Sequence, residues 1–213
     1  MEVGSVRALG WIAIGANLYW ASVAVAMHFL EPEFDPVRAP MSAYVLGHYG
    51  AWVTTTYFVM GAALIAIGCG LVKTLHPSGR TNAALSLTLI AAAAFFVAGL
   101  FPMDFPPPPR TPSGRLHLLG GLFAFPTMAL SALLFSLSFR RDGYWRTVSV
   151  PALTLSAGMI AAYALGFLSI LLLGFAGYAQ RLFMILRFVW AFLVALHLIR
   201  STGARGEPFG GAA

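Results

Sequence analysis

The sequence predicts an all-α, polytopic membrane protein: six transmembrane helices in one bundle, with both termini cytoplasmic. Three observations carry this. First, 59% of the 213 residues are hydrophobic and 9% are charged, whereas a soluble domain carries about 25% charged residues; this chain has too few to coat a water-exposed surface. Second, six apolar stretches are long enough to span a bilayer, whose hydrocarbon core of about 30 Å needs about 20 helical residues at about 1.5 Å each. Third, the Lys and Arg residues between the stretches are unevenly shared between the two sides.

The elements follow in order. The first stretch is Ala8–Leu30. Its "ASVAVA" places small residues as a signal peptidase site would, but Arg7 is offset by Glu2 and the stretch outruns a signal peptide, so the helix is expected to stay. The second and third stretches, Ala51–Leu75 and Ala83–Phe101, are joined by the turn-like "LHPSGRTN". The fourth, Leu116–Phe139, is joined by "RRDGYWRT" to the fifth, Val148–Leu173, and "GFAGYAQ" leads into the sixth, Ala179–Ile199. Lipid offers backbone groups no hydrogen-bond partner, so each stretch must be helical. Residues 1–200 thus form one transmembrane domain and residues 201–213 a short cytoplasmic tail, with no room for a soluble domain.

With six spans, both termini share a side. That side holds Arg7, Lys73, Arg80, Arg140, Arg141, Arg146, Arg200 and Arg205; the other holds Arg38, Arg110, Arg115 and Arg181. The positive-inside rule makes the richer side cytoplasmic and the location the cell membrane. The net charge of +6 is met by anionic lipid headgroups and calls for no nucleic acid. Cys69 stands alone in the sequence, which excludes an intramolecular disulfide or a zinc–thiolate site. Trp11, Trp20, Tyr49, Trp52, Tyr144, Trp145 and Tyr178 lie near helix ends and read as interfacial anchors.

The polar side chains concentrate in the three outer connections. In "LFPMDFPPPPRTPSGRLH" (100–117), Asp104, Arg110, Arg115 and His117 flank the run Pro106 to Pro109. Asp104 is expected to end the third helix, where the dipole disfavours a carboxylate, and so to pair with an arginine or histidine nearby. The prolines favour a stiff polyproline rod across the bundle mouth, and Thr111 or Ser113 is the expected N-cap of the fourth helix. Arg187 lies six residues beyond Arg181, about 9 Å deeper along a helix. Its stripe of Gln180, Met184 and Ala191 points it into the bundle, toward Asp104, Asn17 or an anionic ligand.

These blocks resemble the bacterial membrane family called domain of unknown function 998. The resemblance rests on Ser42, Tyr44, Gly47 and Gly50 in "MSAYVLGHYGAW", on Phe101, Pro102 and Asp104, on Gly114 and His117, and on Gln180 and Arg181 at the start of the last stretch. It covers about Arg38 to Arg200 and implies a multi-helix integral membrane protein; the family supplies no activity.

Three functions from different classes compete. A net basic outer site with Tyr44, Asp104, Arg115, His117, Gln180, Arg181 and Arg187 would bind an anionic amphiphile or lipid head group. An intramembrane lipid hydrolase or transferase would use Asp104 and His117, with Ser42 and His48 as further catalytic candidates. A structural subunit of a homo-oligomer or larger membrane assembly would use the polar cap only to lock its fold. Ser42 reads equally well as the N-cap of a short helix through "SAYVLGHYG". His28, His48, His117 and Asp104 have a composition that suits zinc or iron, but no ligand-spaced pair, so no metal and no cofactor is expected. Membrane lipids are the expected partners.

Overall fold

The computed structural model describes residues 3–105 and 108–204. Within them are six long helices: α1 (Val3–Leu30), α2 (Gly50–Thr74), α3 (Gly79–Leu100), α4 (Pro112–Phe139), α5 (Ser149–Leu173) and α6 (Gly177–Ala204). All six are long and apolar enough to cross a membrane. Two short 3-10 turns, Met41–Leu46 and Trp145–Val148, precede α2 and α5.

Local chemistry sets the boundaries. Ser78 and Thr81 cap α3 reciprocally: the Thr81 amide donates to Ser78 Oγ at 3.2 Å and the Ser78 amide to Thr81 Oγ1 at 2.9 Å. Thr111 caps α4 by accepting from the Gly114 amide at 3.0 Å, with Pro112 opening the helix. Gly174, at φ 76°, ends α5 in the left-handed conformation that glycine tolerates best. Ser42 caps nothing: its segment is a 3-10 turn with Pro40 at the cap position. Asp104 does not end a helix either. The α3 helix stops at Leu100, and Pro102 prevents its continuation.

Each helix packs on its successor and α6 returns to α1, so the bundle is a closed ring of antiparallel neighbours. The interior is apolar, with many alanines among larger side chains. A Cβ on Gly120 of α4 would stand 2.9 Å from the Ala94 carbonyl of α3, and one on Gly70 of α2 would stand 2.8 Å from Leu198 of α6. Close backbone approach of this kind is how helices associate where no hydrophobic effect separates lipid from protein. The outside is apolar: Phe29 is 79% exposed and Leu172 72%, a surface matched to acyl chains rather than water. Pro126, inside α4, lacks an amide proton and so leaves the Leu122 carbonyl without its helical partner.

Two of the expected interfacial anchors belong to the core. Trp20 and Trp145 are buried; Trp145 stacks on Phe139 at 4.7 Å between ring centroids and packs against His197. The Asp142 carboxylate places it there by accepting from the Tyr144 and Trp145 amides at 3.0 and 3.1 Å, while the Tyr144 hydroxyl donates to the His197 carbonyl at 2.8 Å. At this end α2 and α6 meet. At the other, which we call the capped end, the ring is open and the loops cover it.

Candidate functional site

The capped end is tied together from the start of α6. Arg181 Nε donates to His28 Nε2 at 2.9 Å, Nη2 to the Tyr44 hydroxyl at 3.0 Å, and Nη1 to the carbonyls of Ala39 at 2.8 Å and Gly177 at 3.1 Å. His28 Nδ1 pairs with the Ala24 carbonyl at 2.7 Å, so its proton sits on Nδ1 and Nε2 offers a lone pair to the guanidinium. Gln180 Oε1 accepts from the Met41 amide at 2.6 Å. The Gln-Arg pair therefore clamps the loop between α1 and α2. Tyr44, 1% exposed, is the core of that loop, with Phe34 and His28 edge-on to its ring.

The glycines of the same block make room. A Cβ on Gly47 would collide with the Glu31 carboxylate, and one on Gly50 with the Val45 carbonyl. Glu31 is buried and accepts from the Tyr49 amide at 2.6 Å. That bond, stronger in effect than the opposing burial, holds its carboxyl below the usual carboxylate range. Sequence reasoning missed Glu31. Beside Glu33 and Asp35 it looks like part of a solvated acidic turn, and only the fold returns Gly47 to its side.

Asp104 corrects a second expectation. Among the described residues it makes no ion pair or hydrogen bond with an arginine or histidine side chain. Its Oδ2 accepts from the backbone amides of Arg110 and Thr111, both at 2.7 Å, and the Thr111 hydroxyl donates to the carboxylate at 3.0 Å. These bonds, the Thr111 amide first, hold its pKa below the ordinary value. The loop is thus closed by carboxylate-to-amide bonds rather than an ion pair, and Gly114 leaves the space that the carboxylate occupies. Of the proline run, Pro106 and Pro107 lie outside the described residues, and with them the expected rod. Ser113 Oγ donates to the Pro102 carbonyl at 2.8 Å. His117 Nδ1 meets the carbonyls of Ala98 and Phe101 at 3.0 and 2.9 Å. It is therefore the protonated nitrogen, and it caps the end of α3.

Inside the cap lies a cavity of about 780 Å³, within the range of small-molecule sites. All six helices contribute walls: Met27 and Trp20 from α1, Tyr57 and Met60 from α2, Ala98 from α3, Gly121 and Leu122 from α4, Gly166 and Ile170 from α5, Gln180 and Met184 from α6. Phe95, Phe125 and Phe183 meet edge-to-face at 6.2 and 5.1 Å between centroids and line its deep side. The polar groups sit near the mouth: Arg38, Ser42, Tyr44, Asp104, His117 and Gln180. Tyr57, overlooked in the sequence, lines the cavity and lies edge-on to His117. The walls of α4 and α5 are partly open. These two helices have the slightest contact in the ring, and Leu118, Leu122, Phe167, Ile170 and Leu173 line the cavity while staying about half exposed.

The expected site residues divide accordingly. Tyr44, Asp104, His117 and Gln180 line the cavity, with Ser42. Arg115 is exposed and Arg181 has its donors committed to the cap; neither lines it. Of the arginines, Arg38 lines the cavity, while the Arg181 guanidinium is held by protein acceptors. Arg187 faces the bundle interior, as its helical spacing requires, but it lies below the cavity and meets Asn17 Oδ1 at 2.5 Å rather than Asp104. His48 is exposed and packs on Tyr49. No hydrogen bond among the described residues joins Ser42, His48 and Asp104 into a triad. Nor do Asp104 and His117 pair: each is bonded to backbone. Among the described residues no three His, Cys, Asp or Glu side chains converge.

Residues 13–197 match the family DUF998, described as a protein of unknown function. The chain belongs to this family. No match was found among curated proteins or solved structures. The DUF998 match spans both the Tyr44–Gly50 block and Gln180–Arg181, the two parts of the chain that the capped end brings into contact.

Proposed function

We propose that this DUF998 protein is a cell-membrane protein, its termini cytoplasmic, that binds a membrane amphiphile at the capped end, on the outer side of the bilayer. The observation that carries the reading is the apolar cavity of about 780 Å³, bordered by half-exposed Leu118, Leu122, Phe167 and Ile170 at the α4–α5 seam. A chain entering through that seam exchanges lipid contacts for protein contacts and never crosses water. The head group then lies at the mouth, where Arg38, the Gln180 side-chain amide and the hydroxyls of Tyr44 and Ser42 are donors. Exposed Arg110 and Arg115 stand around the same end, which favours an anionic head.

The test is native mass spectrometry of protein released in mild detergent, with extraction and identification of what co-purifies. Gly121 lines the cavity and faces open space, its Cβ position 4.0 Å from the nearest side-chain atom, in Phe125. Gly121→Phe therefore projects a ring into the cavity, where a bound chain would lie, without displacing backbone. Wild type is expected to carry a stoichiometric anionic lipid, and Gly121→Phe to lose it while melting within a few degrees of wild type. Equal lipid retention by both proteins, or none by wild type, overturns the reading.

A further inference from the structure

Arg187 is 1% exposed in the middle of α6. Nη1 donates to Asn17 Oδ1, and the Asn17 amide is held in turn by the Ala13 carbonyl at 2.7 Å. Its other two nitrogens, Nε and Nη2, are buried and reach no acceptor among the described residues. Nor, among the described residues, does a carboxylate offset the charge. Glu31, Glu33, Asp35, Asp104 and Asp142 all fall at helix ends or in connections. Among the described residues the ion pair is Arg38–Asp35, at the surface. A guanidinium in the hydrocarbon layer with two of its three nitrogens unmet is unfavourable unless something negative joins it.

The space beside Arg187 shows what would fit. A second cavity of about 10 Å³ is walled by Arg187, Thr88, Ser131, Met128 and Met159 among otherwise apolar side chains. That is room for about one water-sized particle, too small for a carboxylate or phosphate. The Thr88 and Ser131 hydroxyls contact each other at 2.5 Å, and both reach the Ala84 carbonyl at 2.9 Å. At that hydroxyl–hydroxyl distance one proton lies between the two oxygens, and the Ala84 carbonyl is already the helical acceptor of the Thr88 amide within α3, so the remaining hydroxyl proton can turn from that carbonyl toward an anion seated beside Arg187. Met128 and Met159 are unbranched and adaptable, and yield to a particle slightly larger than water.

We propose that this core cavity binds a small inorganic anion of halide size, held by Arg187 Nε and Nη2 and by a hydroxyl of the Thr88–Ser131 pair. A water molecule would satisfy the donors but leave the charge; a halide does both. The site is distinct from the amphiphile cavity. Met184 lines that cavity one turn away on α6, roughly 4.5 Å nearer the capped end by helical rise, with the Phe95–Phe125–Phe183 cluster above.

The test uses the full chain purified in detergent with sodium gluconate as the sole salt. Its melting is followed as sodium chloride or bromide replaces gluconate at constant ionic strength. Gluconate is too large for the cavity. Wild type is expected to gain stability saturably, by about 5–10 °C at a halide concentration 100 times Kd. Ser131→Ala with Thr88→Val should weaken halide binding about tenfold, and Arg187→Met should abolish the dependence. Should Arg187→Met fail to fold, crystals of wild type grown in bromide decide: an anomalous peak beside Arg187 Nε and Nη2 supports the site. Melting of wild type indifferent to halide, or a water without bromide signal at that position, overturns it. Neither result depends on whether a lipid occupies the upper cavity.

Discussion

Arg181→Met tests the clamp that closes the capped end. The substitution keeps an unbranched apolar stem and removes donors to three acceptors on other segments: His28 Nε2 at 2.9 Å, the Ala39 carbonyl at 2.8 Å and the Tyr44 hydroxyl at 3.0 Å. A buried bond to a charged group contributes about 1.5–3 kcal/mol. Arg181 is only partly buried, so water replaces part of each, and about 1 kcal/mol per acceptor is the appropriate scale, about 3 kcal/mol in total. For a chain of this size that lowers Tm by about 6–12 °C. Arg181→Lys keeps the charge but not the fork, and should recover about half of the loss. Thermal unfolding in mild detergent gives the magnitude, and hydrogen exchange localises it to residues 39–47. If Arg181→Met melts within about 2 °C of wild type and exchange in 39–47 is unchanged, Arg181 does not hold the loop.

Gly47→Ala should destabilise by about 1–3 kcal/mol, since the new methyl collides with the buried Glu31 carboxylate; a chemical melt of the variant indistinguishable from wild type would contradict that packing. Asp104 has a depressed folded pKa, so its contribution is fully present above the unfolded carboxylate pKa and is lost as pH falls through the folded one. Asp104→Asn is therefore expected to be less stable at neutral pH and to show a shallower acid limb than wild type, and matching acid limbs would oppose this. The Lys and Arg asymmetry predicts that, in a Cys69→Ala background, Thr111→Cys is labelled by an impermeant maleimide on intact cells. Labelling only after permeabilisation would reverse the orientation.

The sequence by itself determined the class of molecule. Six spans, their approximate limits and the turns between them follow from composition and run length, because lipid permits a chain so poor in charge only one kind of backbone. It also determined that Arg187 turns inward, since the penalty for a guanidinium facing lipid is legible from its position in a span. The family resemblance, too, was carried by local blocks. The tertiary structure decided what those blocks do. Arg181 and Arg187 look alike in the sequence, as cations on one helix, yet one clamps a loop and the other lies beneath the cavity against Asn17. Asp104 looked like half of an ion pair and proved to be an anchor for two amides. Glu31 looked like surface and is buried beneath Gly47. Partners of this kind are set by distances between residues up to 170 positions apart, as with the Arg187–Asn17 bond. Helical periodicity fixes the face a side chain occupies, but only the packing of the ring fixes which acceptor that face meets.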